Sequence, residues 1–135
     1  MKIVIIDGQG GRLGALLTEK IKAAMPSLSL LAIGTNATAT AAMLRAGADQ
    51  GATGENPVLV AARDADVIIG PIGMMAADAL LGEVTPAMAA AVGSCRAEKL
   101  LLPVGRCGHR VVGVKPLSVA ELADEAVECL RTLLP

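Results

Sequence analysis

Met1-Lys-Ile-Val-Ile-Ile-Asp7-Gly8-Gln9-Gly10-Gly11-Arg12-Leu13-Gly14 is the stretch whose reading decides the fold. Ile3 to Ile6 is an unbroken apolar, β-branched run, which predicts a strand buried on both faces. Four glycines follow within seven residues. Leu13, Leu16, Leu17, Ile21 and Ala24 then recur at helical spacing, the pattern of an amphipathic helix. A strand, a glycine turn and a helix in this order place a helix N-terminus where free backbone N–H groups and the helix dipole both favour an anion. Glycine suits such a turn because a Cβ blocks the bend or holds a phosphate away.

Gly11 and Gly14 have the spacing of the last two glycines of the dinucleotide fingerprint G-x-G-x-x-G, but Gln9 stands at the first. Gly8, Gly11 and Gly14 give G-x-x-G-x-x-G, which resembles the turn of the extended and atypical branch of the short-chain dehydrogenases/reductases. No Lys-Ser/Thr follows the last glycine, so the turn is not a P-loop. Two readings stand. In the first, Asp7, Gly8, Gln9, Gly10, Gly11, Arg12 and Leu13 cradle a phosphate or nucleotide, with NAD(P) or another nucleotide as the cofactor class. In the second, the glycines serve only tight packing of strand on helix.

The chain has 135 residues, of which 53% are hydrophobic, and a mean hydropathy of +0.59. That length predicts one domain spanning residues 1–135 with a proper core. No run approaches the roughly 18 apolar residues of a membrane span. The N-terminus enters a strand directly and has no signal-peptide pattern, so a cytoplasmic protein without a membrane partner is expected. Twelve basic and thirteen acidic residues leave a net charge of −1, and there is no Phe, Tyr or Trp. Without a basic patch or a ring to stack on bases, nucleic acid is not an expected partner. Cys95, Cys107 and Cys129 are an odd, widely spaced set, expected to be reduced rather than a disulfide framework or a zinc site.

Further along, Met25-Pro26 stops the first helix, and Leu28 to Ile33 predicts a second buried strand. Gly34, Thr35 and Asn36 follow, where an ordinary NAD site carries an acid for the ribose. None is present; Thr35 and Asn36 either meet a ligand or cap the helix predicted from Ala37 to Ala46. The Gly- and polar-rich stretch from Ala48 to Glu55 holds a short third strand in this reading. Pro57 opens a short helix over Val58 to Arg63, with a strand as the alternative that its β-branched residues allow, and Glu55 is either a first-turn carboxylate or a chemical group.

Val67 to Ile69 is the clearest later strand, ending in the turn Gly70-Pro71-Ile72-Gly73. Ligands of open α/β sheets sit beyond the carboxyl ends of the strands. The three turns at Asp7–Gly14, Gly34–Asn36 and Gly70–Gly73 are therefore expected to converge on one crevice. Met74 to Leu81 is an apolar stretch, read as an apolar wall of the pocket, as a subunit interface or as ordinary core. Thr85 caps a helix with Pro86 at its first position. Leu100 to Leu102 is a strand followed by a turn holding Arg106, which stands where an anion could be met. Val111 to Val114 predicts a last short strand, antiparallel or at the edge. Ser118-x-x-Glu121 is a capping box opening the C-terminal helix. The order predicts an α/β, three-layer, doubly wound and mainly parallel Rossmann-like sheet.

Asp7-Gly-Gln-Gly-Gly11, Gly34-Thr-Asn36, Gly51-Ala-Thr-Gly-Glu-Asn56, Gly70-Pro-Ile-Gly73, Gly82-Glu-Val-Thr85 and Arg106-Cys107 together resemble a small bacterial family of domain-of-unknown-function proteins. The resemblance implies a Rossmann-like fold and no established activity. Gly70 to Pro103 is also similar to the phospholactate transferase and gluconeogenesis-factor superfamily, which implies binding of nucleotide-linked phosphates or sugars. Ile72-Gly73-Met74-Met75 stands where that group has a Ser/Thr-rich phosphate turn.

For chemistry, the acid/base candidates are Asp7, Glu55, Glu83 and His109. The Tyr-x-x-x-Lys pair of short-chain reductases cannot exist without Tyr. Asp7 either holds the loop through turn N–H groups or meets a phosphate through Mg²⁺. Three functions follow: a nucleotide- or dinucleotide-binding sensor or accessory protein; a small reductase or transferase on a phosphorylated or nucleotide-linked substrate; and a ligand-free interaction module. A homodimer is expected from the apolar excess.

Overall fold

The computed structural model describes residues 1–105 and 108–135. Arg106 and Cys107, including the expected anion contact of Arg106, lie outside the described residues.

Among the described residues there are five strands, β1 (Ile3–Asp7), β2 (Leu30–Gly34), β3 (Gln50–Thr53), β4 (Val67–Pro71) and β5 (Glu98–Leu102). The helices are α1 (Arg12–Ala24), α2 (Ala37–Arg45), α3 (Glu55–Ala62), α4 (Pro86–Ser94) and α5 (Val119–Leu133), with a 3-10 turn at Ile72–Met75. All strand pairs are parallel and the order is β3-β2-β1-β4-β5. The chain winds outward from β1 through β2 to β3, then crosses to β4 and on to β5. The direction of winding reverses between β1 and β4, and their carboxyl ends form the switch-point crevice of such sheets.

Alternation along β1 divides the core in two. Ile3 and Ile5 face the layer holding α1, α2 and α5, where Leu17, Ile21, Met43, Ala123 and Leu130 are buried. Val4 and Ile6 face the layer of α3 and α4, where Val58, Ala61, Met88 and Val92 are buried. A strand apolar at consecutive positions requires a cover on each face, and the two helical layers supply it. The fold is therefore the expected α/β, three-layer, doubly wound one. β3 is short and mostly exposed, as befits an edge strand.

Local signals hold at most helix starts. Thr85 Oγ1 accepts from Met88 N–H with Pro86 at the first helical position, and Ser118 and Glu121 close the capping box. Asn36 caps α2 through Ala39 N–H. α3 starts earlier than expected, at Glu55, so Pro57 is its third residue, still in the turn where no amide is required. β4 runs on through Gly70 and Pro71, and the turn falls on Ile72–Met75 instead.

The strand expected at Val111 to Val114 does not form. β5 is the last strand among the described residues, and the sheet contains no antiparallel pair. Gly113 takes φ 84° and interrupts the extended backbone. Val112 is 98% exposed, so the apolar run has no sheet face to bury against.

Candidate functional site

The glycine turn leaves β1 at Asp7 and enters α1 at Arg12. Gly11 is the N-cap of α1, with φ 72°, and glycine has no side chain to cap with. Asp7 does the capping from the strand. Its Oδ2 accepts from Gly14 N–H at 2.7 Å and its Oδ1 from Gly8 N–H at 2.8 Å. Gly11 N–H bonds back to the Gly8 carbonyl. Of the four orphan amides at the start of α1, Gly11 and Gly14 are thus satisfied. Arg12 and Leu13 N–H have no partner among the described residues, and neither does Gly10 N–H in the turn. Asp7 is only 7% exposed. Burial raises its pKa; the two N–H bonds oppose that, and the neighbouring Glu83 charge adds to the rise.

The turn glycines divide by what a Cβ would meet. At Gly11 it would stand 2.7 Å from Ala39 Cα in the backbone of α2, and at Gly14 2.5 Å from Met43 Sδ and 2.9 Å from Asp7 Cβ. These two serve packing of α1 on α2 and β1. At Gly10 the nearest atom would be 4.0 Å away, so this position faces open space. At Gly8 a Cβ would meet Thr35 Oγ1 at 2.6 Å, Leu80 Cδ1 at 2.7 Å and Glu83 Oε1 at 3.2 Å.

Those contacts bring in the segment between the 3-10 turn and α4. Ala76–Val84 folds back over the ends of β1 and β2. Glu83 Oε1 accepts three hydrogen bonds there, from Gln9 N–H at 2.9 Å, Thr35 Oγ1 at 2.7 Å and Asn36 Nδ2 at 2.7 Å. Asn36 Nδ2 also donates to the Gln9 carbonyl. Burial of Glu83 works to raise its pKa, but the donors of Thr35, Gln9 and Asn36 outweigh it and hold the carboxyl below its ordinary range. Asn36 is therefore a helix cap and a partner of Glu83 at once.

A cleft of about 310 Å³ opens on the other side of the turn. Asp7, Gly8, Gln9, Gly10, Gly11, Arg12 and Leu13 line it from β1 and α1, Pro71 from β4, Leu80 from the 76–84 segment, and Val104 and Gly105 from the turn after β5. The β1 turn and the end of β4 converge as expected. Gly34, Thr35 and Asn36 do not reach the cleft, because Leu80 and Glu83 stand over the Gly8 side of the turn. Gly34 ends β2 and donates its N–H to Thr40 Oγ1. Gly70 is within β4, and Ile72 and Gly73 are in the 3-10 turn; none of the three lines the cleft. Leu80 lines the cleft as one reading of the apolar 74–81 stretch expects, whereas Val104 and Gly105 escape a reading of motifs, since only the crossover connections bring them to β1.

Of the other candidates, Glu55 sits in the first turn of α3 and its Oε1 accepts from Thr85 Oγ1 at 2.6 Å, joining the starts of α3 and α4. His109 is exposed in the segment after β5. Cys95 is half-buried, donates to the Val92 carbonyl and is free, as is exposed Cys129. The 74–81 stretch is divided. Met74 and Ala79 are core, while Leu81 is 96% exposed. A separate groove of about 360 Å³ lies between β5 and α5 and shares no residue with the glycine-turn cleft. Among the described residues no three of His, Cys, Asp and Glu are grouped to hold a metal ion, and no helix is long and apolar enough to cross a membrane.

No curated protein matches the chain, and no solved structure matches it. A family model does match, over residues 2–135, described as Domain of unknown function (DUF3842). The chain therefore belongs to that domain-of-unknown-function family.

Proposed function

We propose that the protein binds a nucleotide or a related phosphorylated ligand in the switch-point crevice, with a phosphate on the Gly8–Gly14 turn, and acts as a sensor or accessory protein. One observation carries the reading. The amides of Gly10, Arg12 and Leu13 have no partner among the described residues, and all three residues line the cleft. Free amides at a helix start favour an anion, and the exposed Arg12 side chain adds a cation beside them. NAD(P) belongs to this ligand class. Its adenosine half would need the ends of β1 and β2, which Ala76–Val84 covers. Mg²⁺ at Asp7 would have to share both carboxylate oxygens with the N–H groups of Gly8 and Gly14.

A second reading, a small transferase or reductase on a phosphorylated substrate, draws on Asp7. A buried carboxyl with a raised pKa that lines a cleft is suited to move a proton.

A thermal-shift screen of NAD, NADP, ATP, GDP, UDP-sugars and phosphate, with and without Mg²⁺, tests the reading. A ligand at a hundred times its dissociation constant adds roughly 2.7 kcal/mol of stability. Arg12→Ala is the matching variant, being exposed and free of ion pairs among the described residues. It should weaken binding about tenfold with no change in fold, the size of one charged hydrogen bond. No shift with any compound would leave the interaction module. The expected homodimer is a separate proposal, and a monomeric mass by light scattering at micromolar concentration would refute it.

A further inference from the structure

Three neutral donors on two different strand ends meet on one oxygen of Glu83. Each donor is held by bonds of its own. Asn36 Oδ1 accepts from Ala39 N–H, and one Nδ2 hydrogen goes to the Gln9 carbonyl, which aims the other at Glu83. Thr35 N–H is bonded to the Asp7 carbonyl, which sets the residue beside the turn. Such a convergent, pre-aimed donor set binds an anionic oxygen well, because no donor needs to reorient.

The segment that brings Glu83 here is held under tension. Asp78, Leu80 and Leu81 take φ of 66°, 55° and 56°, a region that L side chains disfavour. Leu81 gains no burial in return. Glu83 also raises the pKa of buried Asp7, so the two charges repel. Gly8 has no positive φ and no backbone need to be glycine; what its missing Cβ makes room for is Thr35, Leu80 and Glu83.

We propose that Glu83 Oε1 stands in for an anionic oxygen of the ligand, and that Ala76–Val84 is a lid which this carboxylate latches over an anion subsite made by Gln9 N–H, Thr35 Oγ1 and Asn36 Nδ2. The ligand oxygen displaces the carboxylate, and the lid lifts from the β1–β2 half of the crevice. The proposal rests on the crevice being a phosphate site, and it gives that ligand a second anionic contact. Closed, the crevice is open on its β4 side. Open, it admits a ligand long enough to reach β2, the dimension of a nucleotide rather than of phosphate alone.

The test is rescue of the latch by free anions. Glu83→Ala and the wild type are titrated with inorganic phosphate and with acetate at constant ionic strength, and exchange of the Gln9 amide hydrogen is followed. A tethered group competes at an effective concentration of about millimolar, so its removal should tighten phosphate binding about tenfold or more. The Gln9 amide should be protected in the wild type, exposed in Glu83→Ala and protected again by phosphate. Tighter binding of acetate with no gain for phosphate would make the subsite a carboxylate socket and overturn the lid. Equal phosphate affinity in both proteins would overturn the lid and leave the phosphate site standing. No binding to either would remove both. Glu83→Gln is the second variant, which keeps the side chain's length and removes its charge. It should also gain phosphate affinity, and unchanged affinity in that variant counts against the lid.

Discussion

Asp7 Oδ2 lies 2.7 Å from the Gly14 amide nitrogen, so the last residue of β1 caps the third residue of α1 across a turn whose own N-cap is glycine. The carboxylate locks the angle between strand and helix. It also removes one amide from the anion-binding set and places a buried negative charge beneath the turn. The N-terminus of α1 is thus half capped from within and half free.

Asp7→Ala should lose that cap. The expected cost is about 1–2 kcal/mol of folding stability, the usual range for losing a helix cap whose donors are left buried. Urea unfolding measures it, and a change below about 0.5 kcal/mol would mean that water replaces the carboxylate without loss.

The turn glycines should separate sharply. Gly11→Ala puts a Cβ at 2.7 Å from the Ala39 backbone on a residue at φ 72°, and should cost about 2–4 kcal/mol. Gly10→Ala meets nothing closer than 4.0 Å and should stay within about 0.5 kcal/mol of wild type. Equal costs would contradict the packing role of Gly11. Loss of binding on substituting Gly11 would report the fold as much as the ligand.

Glu83 has a pKa held below its ordinary range in the folded protein. Its contribution to stability is therefore complete above the unfolded value, about 4.3, and is lost as pH falls through the lower folded value. Glu83→Gln lacks this dependence. The wild type should exceed the variant in stability at about pH 7, and the gap should close as the pH falls below the unfolded value and through the lower folded one. Asp7 has the opposite sign: with a raised pKa, its contribution is complete below the unfolded value and lost as pH rises through the folded one. It is common to both proteins, apart from the repulsion by Glu83. A gap that persists unchanged into acid would show that the charge of Glu83 is not what holds it.

Leu81→Gly should stabilise the protein. Leu81 is 96% exposed and takes φ 56°. Relief of about 1–2 kcal/mol of left-handed strain exceeds the added chain entropy of glycine, for a net gain of about 0.5–1 kcal/mol. Thermal unfolding measures it. A loss would mean that the Leu81 side chain is buried in solution, for example against a second copy of the chain.

Much of this was legible residue by residue. Ile3 to Ile6 reads as a doubly buried strand because consecutive positions, which point to opposite faces of the sheet, are all apolar. Thr85 and Ser118 read as caps because a short polar side chain before an apolar helical pattern has one local use, whereas Asn36 reads equally as a cap or a ligand contact and only the fold shows the cap. The strand expected at Val111 to Val114 does not form, because β-branched residues carry strand propensity wherever they stand, while a strand forms only where a neighbour offers a ladder. The 74–81 stretch could not be divided into core and surface, because Met74 and Leu81 are equally apolar and only their placement separates them.

By itself the sequence determined the layered α/β architecture, the glycine turn between β1 and α1 and most helix starts, since these depend on contacts within a few residues or on the period of apolar positions. The tertiary structure alone decided which glycines serve packing and which face open space, that Asp7 caps α1, and that Glu83 closes over Gln9, Thr35 and Asn36. Each of these joins residues on different elements. Glu83 is 74 positions from Gln9, and nothing in a local pattern records which crossover brings them within a hydrogen bond.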